Sequence, residues 1–516
     1  MDHLLGGLAA NPALPPGLVD RLIGTADADT ASSLADRADL SPAQALALAR
    51  RFGDEVAVHL AYAGRLPAAT VDPLAWPGAA LALLDTGAGR PEWARRFAAD
   101  LAVGRREKLA ACPGLPPDVL ETLAGDADPR VVTELGMGTT VPATAALLAR
   151  HPHAEVRRAA AINTRTPAAG LAALLTGEGL APARRCAVCD QEEVPFVYEP
   201  SCPRPDCVLR PGASCDGSHA STVHETRMFA LRNPMTPVAA AVRFVRHPSP
   251  LLRRELAARP DLPAEACEVL AADADPGVRA ALAGNPAAGE VVIRALAADR
   301  GHDVRRCLAH HPRIPWDVLA RVARTTRIGP VLLPAIAAAG AAEVEELAAS
   351  AEPLLRMLLA ERRDLPHAVL DALAADPDAK VAKAVAPHPG LPGEALHAMV
   401  RRHGDQVAAR VSANPDAPPG LLERLARQER PVRKALREIA RHPRATAAAL
   451  TACLSDPRAR RLAAAHPALP PRVVVELLAD DDPQVGAAAA ANPSLPRAEM
   501  VRLVAPLSAT PYLTTP

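Results

Sequence analysis

The sequence predicts an all-α protein, a solenoid of short two-helix repeats broken by one cysteine-rich insertion. Three observations lead there: a phrase that recurs along the chain at near-constant spacing, a composition of small aliphatic residues with few aromatics, and five cysteines and two histidines crowded into one break in the pattern.

The phrase reads Asn/His-Pro-x-Leu-Pro, a Leu-rich run, Asp-x-Asp-Pro-x-Val-Arg, and a second Leu/Ala run. Clear copies begin at Asn11-Pro12, Cys112-Pro113, Asn285-Pro286, His311-Pro312, His388-Pro389, Asn414-Pro415, His466-Pro467 and Asn492-Pro493, and Pro234, Pro260, Pro286 and Pro312 stand at a spacing of 26. Degenerate copies around Ser41-Pro42, Leu66-Pro67 and Leu365-Pro366 fill most gaps, giving about seventeen repeats. The repeat length is 24–26 residues.

Each copy reads as two helices. In the copy at Pro260, Pro263 pre-sets the first turn and Val269 and Leu270 supply the apolar face. Asp275 is placed to cap a second helix, with Pro276 at its first position, where no amide hydrogen is needed. Val278 and Leu282 face inward at helical spacing, and Asn285-Pro286 ends the unit because the residue before proline is pushed out of the α region. A pair this small cannot bury a core alone, so stacking on neighbours must supply stability.

Composition agrees. Aromatics are 2% of 516 residues and 54 prolines are spread along the whole length, while apolar residues reach 49%, too many for a disordered proline-rich chain. Trp76, Trp93 and Trp316 fall at repeat-core positions. Formal net charge is zero, so no global pull toward nucleic acid or membrane is present. The stretch Arg401–Arg461 is locally basic, and Arg433, Arg437 and Arg441 make a nucleic-acid partner the alternative to a protein partner. The N-terminus lacks the pattern of a signal peptide, and no stretch is long enough to span a membrane, so a cytoplasmic protein is expected. Nine cysteines in that compartment point to metal or free thiols rather than disulfides.

The spacing and the Leu-Pro, Asp-x-Asp-Pro-x-Val-Arg and Asn-Pro signatures resemble the leucine-rich repeat variant family over nearly the whole chain outside the insertion. The resemblance implies α-helices paired with 3₁₀-helices in a right-handed superhelix, no enzymatic activity, and, in one member type, an iron–sulfur cluster beside the repeats.

Two columns run through the copies. The first holds Asn11, Asn233, Asn285, His311, His388, Asn414, His442, His466 and Asn492, and the interchange of Asn with His predicts hydrogen bonding of turn backbone rather than metal ligation. The second holds Arg157, Arg253, Arg279, Arg305, Arg356, Arg433 and Arg460. Ion pairs within a helix or between repeats are one reading, with Asp275, Glu352 and Asp456 four residues before an Arg. A partner-binding stripe of Arg253, Arg279, Arg305, Arg356, Arg433, Arg437 and Arg460 is the other.

The pattern breaks between residues 176 and 226, dividing the chain into N-terminal repeats 1–175, an insertion 176–226 and C-terminal repeats 227–516. Cys186, Cys189, Cys202, Cys207, Cys215, His219 and His224 follow the spacing C-x2-C-x12-C-x4-C-x7-C-x3-H-x4-H. Two cysteine pairs a dozen residues apart suit a zinc ribbon of Cys186, Cys189, Cys202 and Cys207. Cys202, Cys207, His219 and His224 come close to a two-Cys, two-His finger, and Cys215, His219 and His224 are alternates. Cys215-Asp216-Gly217-Ser218-His219 also resembles the core of the CDGSH iron–sulfur family, whose cluster takes three Cys and that His, although the upstream C-x-C pair is absent and Pro211 is displaced. An iron–sulfur cluster and redox sensing are therefore the alternative to zinc. Cys112, Cys267, Cys307 and Cys453 read as small core hydrophobes. No nucleophile triad or phosphate loop is present, so a non-enzymatic scaffold with a protein partner and no small-molecule substrate is expected.

Overall fold

The computed structural model describes residues 2–190 and 218–505, and structural statements concern these. They form thirty-five α-helices and two 3₁₀-helices, Ala68–Thr70 and Val242–Phe244. No β-strand occurs among the described residues, only an isolated parallel bridge between His153 and Arg185. The all-α solenoid expected from the repeats is what the chain forms. Both helices of nearly every repeat are α-helical, with 3₁₀ geometry confined to those two turns.

The helices gather in two compact units, one of Met1–Ala79 with Ala341–Pro516 and the other of Ala80–Gly340. The second shows the repeat most plainly. Pro263, with φ of −70°, precedes helix Ala264–Ala271, which buries Ala266, Cys267 and Leu270. Asp275 caps helix Pro276–Ala283 by accepting from the Val278 amide at 3.1 Å, a bond whose loss costs about 1 kcal/mol. Val278 and Leu282 are fully buried. The short, Ala-rich helices let their backbones approach closely, which is why so few aromatics suffice.

The Asn/His column is a buried ladder. Asn285 donates from Nδ2 to the carbonyls of Ala257 and Arg259 at 2.6 and 2.7 Å in the preceding repeat, while its Oδ1 accepts from the Ala287 amide. His311 substitutes for it: Nδ1 accepts from the Arg313 amide, so Nε2 carries the proton and donates to Asn285 O at 2.9 Å. His442 and His466 repeat the arrangement, whereas His388 keeps only the Nε2 bond, to Arg362 O, because the Gly390 amide donates to Asp416. Arg37 and Arg259 occupy the same place, each donating from Nη1 to two carbonyls of the previous repeat and pairing with an Asp two residues on.

The arginine column is a second ladder, and its acids come from the next repeat rather than from four residues earlier. Arg253 pairs with Asp273, Arg279 with Asp299, Arg356 with Asp376 and Arg460 with Asp480, each twenty residues ahead, and Arg437 pairs with Asp456. The first four also donate to the carbonyl six residues back. The Asp-x-Asp motif thereby divides its labour: Asp273 takes Arg253 and the Asp275 amide, and Asp275 caps the helix. Arg305 meets Thr326 Oγ1 instead of an acid. Arg433 is exposed with no ion pair among the described residues.

The insertion interrupts the chain without interrupting the stack. Asn233 Nδ2 donates to Ala161 O and Asn163 O at 2.9 and 3.0 Å, the ordinary ladder bonds, across a separation of 70 residues instead of 26. In the first unit the same continuity joins the two ends of the sequence. Asn11 donates to Ala490 O and Asn492 O, and helix Asp2–Ala9 lies so close to helix Pro483–Ala490 that a Cβ on Gly7 would overlap the Ala487 carbonyl.

Of the tryptophans only Trp93 is buried; Trp76 and Trp316 are half-buried. Cys112, Cys267 and Cys453 are buried as expected, whereas Cys307 is partly exposed. No described helix is long and apolar enough to cross a membrane.

Candidate metal centre

The repeat that precedes the break departs from its consensus in ways that build a platform. Where other copies have Asp-x-Asp-Pro, this one has His151-Pro152-His153-Ala154. His151 still does the work of the first Asp, its Nδ1 accepting from the His153 amide at 3.1 Å. His153 is buried, 2.9 Å from Asp190 Oδ2 through Nε2, and its Nδ1 lies 3.0 Å from Glu155 Oε2, off the line of a hydrogen bond. Burial, the largest single influence, works against the imidazolium, but the carboxylates of Glu155 and Asp190 beside it together outweigh burial and raise the His153 pKa above its ordinary value.

This network clamps the segment carrying the cysteine pair. Ala154 N donates to Arg185 O at 2.9 Å and Arg184 N to Pro152 O at 2.8 Å, forming the isolated bridge. Asp190 accepts from Arg185 Nε at 2.8 Å, and its amide donates to Cys186 O at 3.1 Å. Glu155 accepts from Thr222 Oγ1 at 3.1 Å, tying the platform to helix Ala220–Arg232 on the far side of the break.

The donors converge there. Cys186 and Cys189 place their Sγ atoms 3.5 Å apart, and the Cys189 amide donates to Cys186 Sγ at 3.4 Å. His219 Nδ1 lies 3.7 Å from Cys189 Sγ, and ligand atoms of all three residues fall within 4.8 Å of one another. Cys186 and His219 are buried while Cys189 is exposed. His219 is the one described non-glycine residue with positive φ, 52°, at the start of helix Ala220–Arg232. Such a conformation is uncommon outside glycine and collects at functional sites, where surrounding structure holds it. Two thiols and an imidazole at this separation can hold a metal ion.

Of the four ribbon ligands expected, Cys186 and Cys189 are together, and Cys202 and Cys207 lie outside the described residues, as does Cys215. His219, an alternate by spacing, joins the cysteine pair. His224 does not: it is buried one turn further along the same helix, its Nε2 without a hydrogen-bond partner, and burial together with the charge of Arg227 lowers its pKa. The platform residues His153, Glu155 and Asp190 escaped the sequence reading. Their signal was the replacement of Asp-x-Asp by His-x-His in one copy alone.

The proposed partner-binding arginines are largely engaged inside the fold. Arg253, Arg279, Arg356, Arg437 and Arg460 hold the acids of neighbouring repeats, and in the basic stretch Arg401, Arg427 and Arg441 pair with Glu394, Glu423 and Glu438. The buried thiols of Cys112 and Cys453 are pushed up to about 12 by desolvation, which removes them as nucleophiles at neutral pH.

No known protein family and no curated protein matches the chain. Among solved structures it is similar to an engineered protein known from its crystal structure, with 16% sequence identity over 97% of this chain and 94% of that chain and a TM-score of 0.12.

Proposed function

We propose that this chain is a non-enzymatic binding scaffold of the leucine-rich repeat variant kind, in the cytoplasm, which presents its solenoid surface to a protein partner and carries a structural zinc site. The observation that carries the reading is the convergence of Cys186, Cys189 and His219 on a platform made by a specialised repeat. Borderline-soft nitrogen and sulfur donors suit zinc. Bound there, zinc would cross-link the cysteine segment to helix Ala220–Arg232 across the break in the repeats. The engagement of column imidazoles with backbone carbonyls and the raised thiol pKa values support a non-enzymatic role, and the internal pairing of the Arg401–Arg461 stretch favours protein over nucleic acid as partner.

The test is metal analysis of protein purified without oxygen, followed by capture of partners from the native host with and without nuclease. About one equivalent of zinc and nuclease-resistant capture are expected. A brown protein whose visible absorption depends on His219 would replace zinc by an iron–sulfur cluster. Capture lost on nuclease treatment would replace the protein partner by nucleic acid.

A further inference from the structure

In an ordinary repeat the column arginine lies six residues before the ladder residue and finds its carboxylate twenty residues ahead, as Arg253 finds Asp273. Two consecutive layers of the stack fail this rule. Arg157 precedes Asn163 by six, but the residue twenty ahead is Gly177, and the guanidinium donates instead to the His151 and Ala181 carbonyls at 2.6 and 2.8 Å. Arg227 precedes Asn233 by six, but the residue twenty ahead is His247, a group that cannot serve as counter-ion. The Arg227 charge instead adds to burial in lowering the His247 pKa. Arg227 Nε is buried without a hydrogen-bond partner.

Both arginines line one cavity of about 300 Å³, walled by Leu174, Leu180 and Val223 with Thr226 as a further polar residue. No carboxylate lines it among the described residues. Two cations sharing a partly apolar cavity without an anion repel one another and leave their desolvation uncompensated. The volume is at the lower end for small-molecule sites, and a guanidinium fork matches an oxyanion in two parallel bonds.

We infer that this cavity is a binding site for a small organic anion, an oxyanion group on a short apolar body, held by Arg227 and the free edge of Arg157. The ligand replaces the aspartates that the repeat supplies elsewhere. The site does not depend on which metal, if any, the cysteines hold.

Titration calorimetry on the purified full chain tests this with hexanoate, hexyl phosphate and 1-hexanol. Saturable binding of at least one anion and none of the alcohol is expected, and the stronger anion identifies the headgroup as carboxylate or phosphate. The Arg227 side chain makes no hydrogen bond among the described residues, so R227Q removes none there, and it should weaken binding by about tenfold or more, the usual effect of a charge-assisted bond. R157Q, which also loses two backbone anchors, should act the same way, and R433Q should have no effect. Failure of both anions to bind at up to about 10 mM, near the weakest affinity such bonds give, would overturn the assignment. So would equal binding of the alcohol, or anion binding indifferent to R227Q.

Discussion

Asn11 donates from Nδ2 to the carbonyl of Asn492 at 2.7 Å, the bond that Asn492 itself makes to His466 and Asn285 makes to Arg259. The first repeat therefore continues the ladder of the last, so neither presents a bare apolar end at this joint. Asn11→Ala removes two bonds to buried carbonyls and one from the Ala13 amide. Roughly 2–3 kcal/mol of local stability should be lost, given about 1 kcal/mol or more for each buried group left unpaired. Hydrogen exchange should show both Asp2–Ala9 and Pro483–Ala490 losing protection together. Unchanged protection of the C-terminal helix in the variant would refute the joint.

The two histidines whose burial outweighs their hydrogen bonds make the ladder sensitive to acid. Desolvation lowers the pKa of His311 and of His466, against raising contributions from the carbonyls of Asn285 and His442. The unfolded chain then binds protons more readily than the folded one, so stability is fully present above the ordinary His value near 6.5 and falls as pH drops through the lowered folded value. His311→Asn keeps the donor and the acceptor but cannot titrate. Its unfolding midpoint should match the parent near pH 8 and exceed it near pH 5; an identical decline in both proteins would contradict the coupling.

Much of this was legible in local sequence, and the remainder depended on what stacking brings together. Asp275-Pro276 announced a capped helix start, and the exchange of Asn285 for His311 announced a backbone ladder, because both follow from bonds a few residues long or from a repeated side-chain chemistry. Arg259 was missed in that ladder because it shares no chemistry with Asn beyond a pair of aligned N–H donors. Helical spacing points Arg279 one turn back to Asp275, but that carboxylate is occupied by the Val278 amide and the partner is Asp299. Arg227 stands six residues before Asn233, but it follows Thr226 rather than the Val or Leu that marks most of the column. At the metal centre, spacing names Cys186 and Cys189 and offers His219 as an alternate, while Cys202 and Cys207 lie outside the described residues; that His219 reaches Cys189 depends on the repeats on both sides of the break stacking directly.

Arg279→Met tests the second ladder. The side chains of Arg279 and Asp299 are 19% and 9% exposed, buried enough that removing one partner strands the other, and the Asp273 carbonyl loses its donor too. A loss of about 2–3 kcal/mol is expected, below the 3–5 typical of fully buried pairs. The Arg279 hydrogen bond is the largest cause of the lowered Asp299 pKa, so this contribution is present above the ordinary carboxylate value near 3.8 and is lost as pH falls through the folded one. The difference between variant and parent should therefore narrow in strong acid; a difference constant from pH 7 down to about pH 2 would assign the effect to packing alone.

The His153 platform predicts a separable effect on metal affinity. Cys186→Ser and His219→Ala each remove a donor atom and should abolish retention of metal, since a hydroxyl or methyl replaces neither thiolate nor imidazole. His153 supports the donors through its neighbours: it holds Asp190, whose amide bonds the Cys186 carbonyl, and stands beside Glu155, which binds Thr222 three residues after His219. His153→Leu should therefore leave all three donors present but poorly oriented, lowering affinity by about 10–100-fold, the usual cost of losing an outer-shell support. Competition with a chromophoric chelator measures this, and helical content by circular dichroism should stay near that of the parent because the ladder bonds of Asn163 and Asn233 bypass the platform. Parent-like affinity in His153→Leu would show that the cysteine segment holds its own geometry without help from the repeat.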